Sequence, residues 1–205
     1  MKLHEAESPN ARRVHVFMAE KGIDLPRVAV DIRAGENLTP EYLAKNPMGR
    51  VPVLELDDGG FLAESVAICR YLEGLHPDPN LFGEDALEAA TIEMWNRRAE
   101  LNFAQNAAMA FRNISGFFED RETCVPEWGR VAAEEAKRKL GVFEEQLGRS
   151  EYLAGDRFTV ADISFGVFYG FAFMVEKMAK VDFELGRPNL ARWYEQIGKR
   201  PSFAG

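Results

Sequence analysis

The sequence predicts a small mixed α/β domain followed by an all-helical domain. Three observations support this prediction. Strand-like alternation and helical periodicity follow one another over residues 1–76, and nearly all of the remainder shows helical periodicity alone. Between the two parts, two prolines and several polar turn formers exclude a continuous helix. We therefore expect domains at residues 1–76 and 85–205, joined by a linker at residues 77–84.

The first domain is expected to begin with a short strand and a helix. Residues 2–4 suit a strand, and Ser8-Pro9 supplies a helix cap followed by proline at the first helical position. The helix runs to about residue 21, and Gly22 is a suitable terminator. Its apolar face consists of Ala11, Val14 and Met18. The pair Arg12-Arg13 is expected on the solvated face, and a contribution to an anionic site or a subunit contact is the alternative.

The rest of this domain adds three strands and two helices. A second strand is predicted from the alternation of Val28, Val30 and Ile32 with other residues. Thr39-Pro40 repeats the cap-then-proline signal and opens a short helix. Residues 53–56 and 61–63 flank an Asp-Asp-Gly-Gly turn, which is typical of a hairpin, and Glu64-Ser65 opens a last helix. The order βαβαββα is the thioredoxin-like arrangement.

Four helices account for the second domain. The first begins near Asp85 and continues towards Phe111, and the second runs from about Pro126 to Leu147. The third begins at residues 158–162 and is so apolar that it should be the centre of a helical bundle. The fourth spans residues 188–199. The expected buried positions of the second helix are Val131, Leu140 and Phe143.

Composition and charge exclude several functions. The 25 Lys+Arg and 33 Asp+Glu residues give a net charge of −8, which repels nucleic-acid phosphates. No signal peptide is recognisable, and no stretch approaches the roughly 18 apolar residues of a membrane span. Cys69 and Cys124 are too few for a disulfide framework, and no Cys/His cluster suits a metal. We therefore expect a cytoplasmic protein that binds no nucleic acid, membrane or metal.

The residues around Val51-Pro52 suit a binding site. Pro52 directly precedes a predicted strand, and a cis bond before it would leave the Val51 backbone N–H and C=O free to pair with an extended peptide. Glu64 and Ser65 lie at the start of a helix, where backbone N–H groups attract a carboxylate and Glu64 can accept an ammonium group. Together these groups suit an amino-acid head group beside a strand edge.

The segment from Asn46 to Leu72 resembles the glutathione-binding signature of cytosolic glutathione S-transferases: a Val-Pro pair, a hairpin, then Glu-Ser opening a helix. The resemblance continues through residues 92–101 and 152–162, where Thr159 and Asp162 match the family's N-capping box. It is greatest to an atypical fungal and bacterial class that lacks an obligatory catalytic Tyr, Ser or Cys. It implies a detoxifying homodimer that conjugates the thiolate of glutathione, its co-substrate, to hydrophobic electrophiles.

The resemblance also implies roles for single residues. The Val51 backbone, next to Pro52, would pair with the cysteinyl part of glutathione, and Glu64 and Ser65 would hold the γ-glutamyl group. Arg50 occupies a position that often contacts the peptide. Asn37 stands where relatives often have a histidine that contacts glutathione.

The group that activates the thiol is left open by the sequence. A free thiol has a pKa near 8.5, and lowering it by about two units requires roughly 2.7 kcal/mol. Tyr42 comes too late in the chain for the tyrosine type. Ser8 lies where the serine type has its hydroxyl, although it also suits a plain helix cap. In the atypical class a His and a Ser or Thr position a water near the sulfur. Here Ser115 keeps the hydroxyl, and Asn113 stands where the histidine is expected.

Three phenylalanines, Phe111, Phe117 and Phe118, are expected to line the substrate pocket, because the end of the first long helix should face the glutathione site. A different class of function also fits the binding residues, namely a glutathione-binding regulatory protein without turnover. A glutathione-dependent peroxidase, reductive or isomerising activity is a third alternative.

Overall fold

A computed structural model describes residues 1–204 of the chain. The chain divides into two compact units, Met1–Asn80 and Leu81–Ala204. Unit 1 contains a four-stranded mixed sheet with helices, and unit 2 is helical. The predicted fold class, a thioredoxin-like domain followed by a helical domain, is therefore confirmed.

Unit 1 has the predicted βαβαββα order. Its elements are β1 (Lys2–Glu5), α1 (Pro9–Glu20), β2 (Arg27–Ala29), a 3₁₀ turn (Glu36–Leu38), α2 (Pro40–Leu43), β3 (Val53–Glu55), β4 (Phe61–Ala63) and α3 (Ser65–Leu75). The strand order is β2-β1-β3-β4, in which β1 runs parallel to β2 and antiparallel to β3. The hairpin of β3 and β4 completes the sheet and delivers the chain to the start of α3.

The sheet buries apolar residues on both faces. Leu3 and Leu54 face each other across β1 and β3, and both are fully buried. Helix α3 contacts β3 and β4 and packs against α1. Val53, whose side chain points to the other face, forms a small core with Val30 and Tyr42 of α2. The short helix α2 therefore anchors the segment that leads into β3.

The second strand is shorter than the predicted alternation over residues 28–32. All three residues of β2 are exposed, because β2 lies at the edge of the sheet and pairs on one side only. Val30 follows the strand, and its N–H still donates to the Glu5 carbonyl at 2.7 Å. Its side chain is buried in the α2 core, so the apolar alternation reflects burial beyond the end of the strand.

Unit 2 is built from five α-helices and a π-helical segment. These are α4 (Ala86–Arg98), the π segment (Ala99–Ala104), α5 (Gln105–Ile114), α6 (Pro126–Leu147), α7 (Val160–Ala179) and α8 (Pro188–Gly198), followed by a 3₁₀ turn (Pro201–Phe203). Helix α7 is buried nearly continuously from Val160 to Tyr169, as expected for the centre of the bundle. Its Phe165 ring stacks on Phe143 of α6 at 4.1 Å between centroids and lies 5.0 Å from Trp193 of α8.

The predicted long first helix reaches Ile114 and contains the π segment between α4 and α5. One prediction of a buried position in unit 2 was wrong. Val131 of α6, expected in the core, is 52% exposed, whereas Leu140 and Phe143 are buried. The buried face of α6 passes through Gly129, Ala132, Ala133 and Ala136. The small residues at these positions allow a neighbouring helix to pack closely against α6. Val131 lies outside that face.

The N-terminus of α7 has the predicted capping box. The hydroxyl of Thr159 and the carboxylate of Asp162 cap the helix reciprocally. Asp162 is fully buried, and its Oδ1 also accepts hydrogen bonds from the Leu153 N–H at 3.0 Å and the Trp193 Nε1–H at 3.1 Å. One carboxylate thus joins the loop before α7, the start of α7 and helix α8.

Candidate functional site

Val51 presents an unpaired peptide backbone at the start of β3. The Val51–Pro52 bond is cis. The Val51 side chain packs against the core formed by Val30, Tyr42 and Val53. Within residues 1–204, neither its backbone N–H nor its C=O has a hydrogen-bond partner. A fixed, unpaired N–H and C=O at a strand end can pair with an extended peptide.

Side chains from α2 and its surroundings fix the loop that carries Arg50. Tyr42 Oη and Asn46 Nδ2 donate to the Arg50 carbonyl at 3.0 and 2.9 Å. Burial, with a smaller effect of the nearby Glu36 carboxylate, raises the pKa of Tyr42 to about 12, so its hydroxyl keeps its proton at neutral pH. The Arg50 side chain itself is exposed. Sequence reasoning missed Tyr42 and Asn46 because their role depends on the folded loop.

Asn37 acts on the same loop. Its Nδ2 donates to the Gly49 carbonyl at 2.7 Å. Gly49 has a φ of 59°, and a Cβ there would lie 3.1 Å from the Asn37 carbonyl oxygen. The close approach of the two segments therefore favours glycine at this position. The role of Asn37 as a direct glutathione contact stays a prediction.

Ser65, the first residue of α3, makes a buried polar contact with Arg13, and the exposed Asn10 lies at its edge. Its side-chain oxygen accepts a 2.6 Å hydrogen bond from Arg13 Nη1 and lies 3.3 Å from Asn10 Oδ1. Arg13 is only 1% exposed, so the prediction that it lies on a solvated face was wrong. Positions 10, 13 and 17 are spaced by three and four residues and share one stripe of α1. That stripe faces α3, which no local pattern in the sequence could indicate.

Glu64 precedes α3 in an unusual conformation. It has φ 67° and ψ 114°, its side chain is exposed, and it makes no cap hydrogen bond to the helix. A non-glycine residue with positive φ costs of order 1–3 kcal/mol, and such residues cluster at ligand sites. The first N–H groups of α3 therefore lack a side-chain cap from Glu64, while its carboxylate faces solvent beside them.

Ser8 is the N-cap of α1. Its Oγ accepts a hydrogen bond from the Ala11 N–H at 3.2 Å. A hydroxyl that accepts in this way still has its own proton to donate. The geometry is therefore compatible with both predictions for Ser8, the helix cap and the thiol activator.

Asn113 and Ser115 lie at the end of α5. Asn113 Nδ2 donates to the Met109 carbonyl and its Oδ1 accepts from the Val125 N–H, both at 2.9 Å. Both polar atoms of Asn113 thus hold backbone within unit 2. Ser115 Oγ accepts from the Phe117 N–H at 3.2 Å and keeps its proton for another acceptor. Their catalytic roles stay predictions.

The three predicted pocket phenylalanines are brought together. Phe111 lies 5.4 Å from Phe117 and 6.3 Å from Phe118 between ring centroids, and Phe117 and Phe118 are 4.7 Å apart. Phe171 of α7 adds a fourth ring 5.5 Å from Phe111. Phe117 and Phe118 are half-buried. The cluster therefore offers apolar ring surface that water still reaches.

In residues 1–204, the cysteines are buried or half-buried, and two of the histidines contact carboxylates. Cys69 is fully buried, as predicted, and the half-buried Cys124 directs its Sγ to the Arg112 carbonyl. His4 and His15 bond to Glu55 and Glu5. Over residues 1–204, no three His, Cys, Asp or Glu side chains form a group that could hold a metal ion. None of the helices in that range has the length and hydropathy needed to cross a membrane.

Family profiles match both units of the chain. The profile "Glutathione S-transferase, N-terminal domain" matches residues 7–75, and "Glutathione S-transferase, C-terminal domain" matches residues 93–196. Glutathione S-transferase 2 of Saccharomyces cerevisiae is 35% identical over 198 residues, which cover 95% of this chain and 83% of the relative. Elongation factor 1-gamma of Prunus avium is 34% identical over 95% of this chain but only 44% of its own length.

Solved structures are similar over the whole chain. Gtt2 from Saccharomyces cerevisiae has a TM-score of 0.91 at 32% identity, with 100% of this chain and 99% of that chain covered. A glutathione S-transferase of class Gtt2 from Vibrio parahaemolyticus has a TM-score of 0.85 at 41% identity, with 99% and 95% covered.

Proposed function

This chain belongs to the glutathione S-transferase family, and from that premise we propose that it conjugates glutathione to hydrophobic electrophiles. One observation carries the proposal: unit 1 holds the unpaired Val51 backbone together with Ser65 at the start of α3. We further propose that the protein works in the cytoplasm as a homodimer, in detoxification, with glutathione as co-substrate and no metal.

Residues of unit 1 would bind the tripeptide. The Val51 N–H and C=O, fixed next to Pro52, pair with the cysteinyl residue. The Glu64 carboxylate accepts the γ-glutamyl ammonium, and the Ser65 hydroxyl with the first N–H groups of α3 donates to the γ-glutamyl carboxylate. Arg50 places an exposed positive charge for the anionic peptide. Asn37 contributes through the Gly49 carbonyl that it holds.

The reaction needs a thiolate and a held electrophile. The thiol proton leaves to solvent or a water, the sulfur forms a bond to the electrophilic carbon, and the leaving group departs with the bonding electron pair. Holding both reactants close together supplies part of the rate. Phe111, Phe117 and Phe118 would hold the apolar part of the electrophile. Ser8 is the first candidate for stabilising the thiolate; Ser115, next to Asn113, is the second.

Retention on immobilised glutathione and conjugation of 1-chloro-2,4-dinitrobenzene together test the function. We expect the protein to be retained and to catalyse conjugation, with an initial rate of absorbance increase proportional to the enzyme concentration. Retention without turnover over several electrophiles would favour the regulatory alternative. Turnover of hydroperoxides that is faster than conjugation of 1-chloro-2,4-dinitrobenzene would favour the peroxidase alternative. A protein that neither binds glutathione nor turns it over contradicts the proposal.

Replacing Ser8 by alanine is expected to raise the thiol pKa of bound glutathione by about one to two units, because one hydrogen bond to a charged group such as the thiolate contributes about 1.5–3 kcal/mol. Titrating the thiolate absorbance in the ultraviolet measures this pKa. Ser8→Thr keeps both the cap and the hydroxyl and serves as the matched control. If only Ser115→Ala moves the pKa, the activator is Ser115. If neither variant does, backbone donors or water stabilise the thiolate and the prediction is wrong.

A further inference from the structure

Arg112, near the end of α5, brings a cation to the phenylalanine cluster of unit 2. Its guanidinium carbon lies 4.4 Å from the ring centroid of Phe118, and its Nη1 forms an ion pair with a carboxylate oxygen of Glu122. We propose that Arg112 and Glu122 determine specificity as a pair. Arg112 favours aromatic electrophiles that carry a neutral oxygen acceptor, and Glu122 discriminates against those that carry a carboxylate. The proposal rests on the proposed function and narrows its substrate class.

The phenylalanine rings favour an aromatic ligand. Phe111 meets Phe118 and Phe171 edge to face, at interplanar angles of 89° and 74°. Phe117 meets Phe118 in the same way, at 78°. Aromatic rings prefer this arrangement because the positive edge of one ring is attracted to the negative face of another. Phe117 and Phe118 are only half-buried, so a ligand ring can extend the same packing.

Arg112 offers hydrogen-bond donors beside these rings. A guanidinium group carries N–H donors on all three of its nitrogens and has no acceptor. Among residues 1–204, Glu122 is the one group that accepts from the Arg112 side chain. That side chain is 19% exposed, and none of its nitrogens is both buried and unpaired. The other N–H groups can therefore donate to an oxygen acceptor on a ligand ring packed in the cluster.

Glu122 is held beside Arg112 by the turn that follows Phe118. The Glu122 N–H donates to the Phe118 carbonyl at 2.8 Å, and Cys124 Sγ donates to the Arg112 carbonyl at 3.2 Å. The Glu122 carboxylate offsets the positive charge of Arg112, and it would repel a ligand carboxylate placed at the same guanidinium. A carbonyl group has no net charge and meets no such repulsion. The ion pair therefore selects a neutral acceptor over an anionic one.

Three benzyl chlorides that differ only in the para group test this role: benzyl chloride, 4-acetylbenzyl chloride and 4-(chloromethyl)benzoate. In each, the glutathione sulfur forms a bond to the benzylic carbon, and chloride leaves with the bonding electron pair. Arg112→Met keeps an unbranched side chain beside Phe118 and removes the donors. We expect it to lower kcat/KM about tenfold for the acetyl compound and less than about threefold for benzyl chloride, because only the acetyl compound loses a hydrogen bond from a charged group.

Glu122→Gln gives a second test, which predicts a gain. We expect it to raise kcat/KM for 4-(chloromethyl)benzoate at least about tenfold, because the ligand carboxylate then meets Arg112 without a competing carboxylate. The gain should disappear in the double variant with Arg112→Met, since it depends on that guanidinium. Arg138→Met and Glu135→Gln make the same changes in an exposed ion pair of α6 and should leave all three substrates unaffected.

The outcomes separate this proposal from the function on which it rests. Wild-type protein that conjugates none of the three chlorides contradicts the proposed function. Wild-type activity with equal losses for all three substrates in Arg112→Met means that Arg112 only holds the loop after α5, and overturns the proposal. Glu122→Gln without a gain for the carboxylate substrate also overturns it. This second variant keeps the stacked arginine, so it decides the question even where Arg112→Met does not fold.

Discussion

Asp162→Ala is expected to lower the free energy of unfolding by at least about 4 kcal/mol, since a buried donor left without an acceptor costs about 1–3 kcal/mol. The variant removes the acceptor of the Leu153 N–H, the Trp193 Nε1–H and the Thr159 N–H in a fully buried place. It also breaks the capping box of α7, the central helix of unit 2. Urea denaturation followed by tryptophan fluorescence measures the loss.

Asp162→Asn is the matched control for this prediction. It keeps one side-chain oxygen, which can still accept the hydrogen bonds from Leu153 and Trp193. It loses only the oxygen that accepts from Thr159 in the capping box. Its loss of stability should be clearly smaller than that of Asp162→Ala. Equal losses in the two variants, or a loss below about 1 kcal/mol in Asp162→Ala, would contradict the assignment of this carboxylate as the common acceptor.

The same carboxyl group gives unit 2 a pH dependence of known sign. Burial, which outweighs the four hydrogen bonds it accepts, raises the pKa of Asp162 from its ordinary value of 3.8 to about 6. Between these two values the folded carboxyl holds a proton that the unfolded one has lost. Its contribution to stability therefore falls as the pH rises through this range and is constant above it. The slope should be absent in Asp162→Asn.

Ser65→Ala is expected to raise the Kd for glutathione at least tenfold, because a hydrogen bond to a charged group contributes about 1.5–3 kcal/mol. Isothermal titration calorimetry measures the affinity, and a far-ultraviolet circular dichroism spectrum like that of the wild type shows that the fold is retained. Unchanged affinity would contradict the γ-glutamyl role of Ser65. The variant removes one hydroxyl and leaves the backbone N–H groups of α3 in place, so some binding should remain.

Steady-state kinetics distinguish this role from thiol activation. Ser65 is proposed to hold the end of glutathione that does not react. The variant should therefore raise the KM for glutathione with a smaller change in kcat at saturation. Ser8→Ala should instead lower kcat through the thiol pKa. A fall in kcat with unchanged KM in Ser65→Ala would assign Ser65 to the chemical step.

Elements whose signals are local could be predicted from the sequence. Helix α6 begins at Pro126 and ends at Leu147, as its periodicity and its proline predict, and the hairpin follows from its Asp-Asp-Gly-Gly turn. The misses have a common cause. The length of β2 depends on its place at the sheet edge, and the exposure of Val131 depends on which face of α6 meets its neighbours. Both are set by tertiary packing.

The candidate site divides in the same way. Val51, Glu64 and Ser65 belong to one continuous motif, so the sequence alone brings them together. Arg13 lies 52 positions before Ser65 and joins the site only because α1 packs on α3. An arginine beside another arginine has the pattern of a solvated surface. Only the buried geometry shows that the two neighbours have different surroundings.

The π segment between α4 and α5 determines the direction in which the side chains of α5 point around the helix axis. One residue added to an α-helix turns the later side chains by about 100° around its axis. The π segment, Ala99–Ala104, therefore contributes to the directions in which Phe111, Asn113 and Ser115 point. Deleting one residue there would keep each of these side chains and rotate them all away together. The orientation of the candidate pocket residues on α5 therefore depends on the π segment as well as on α5 itself.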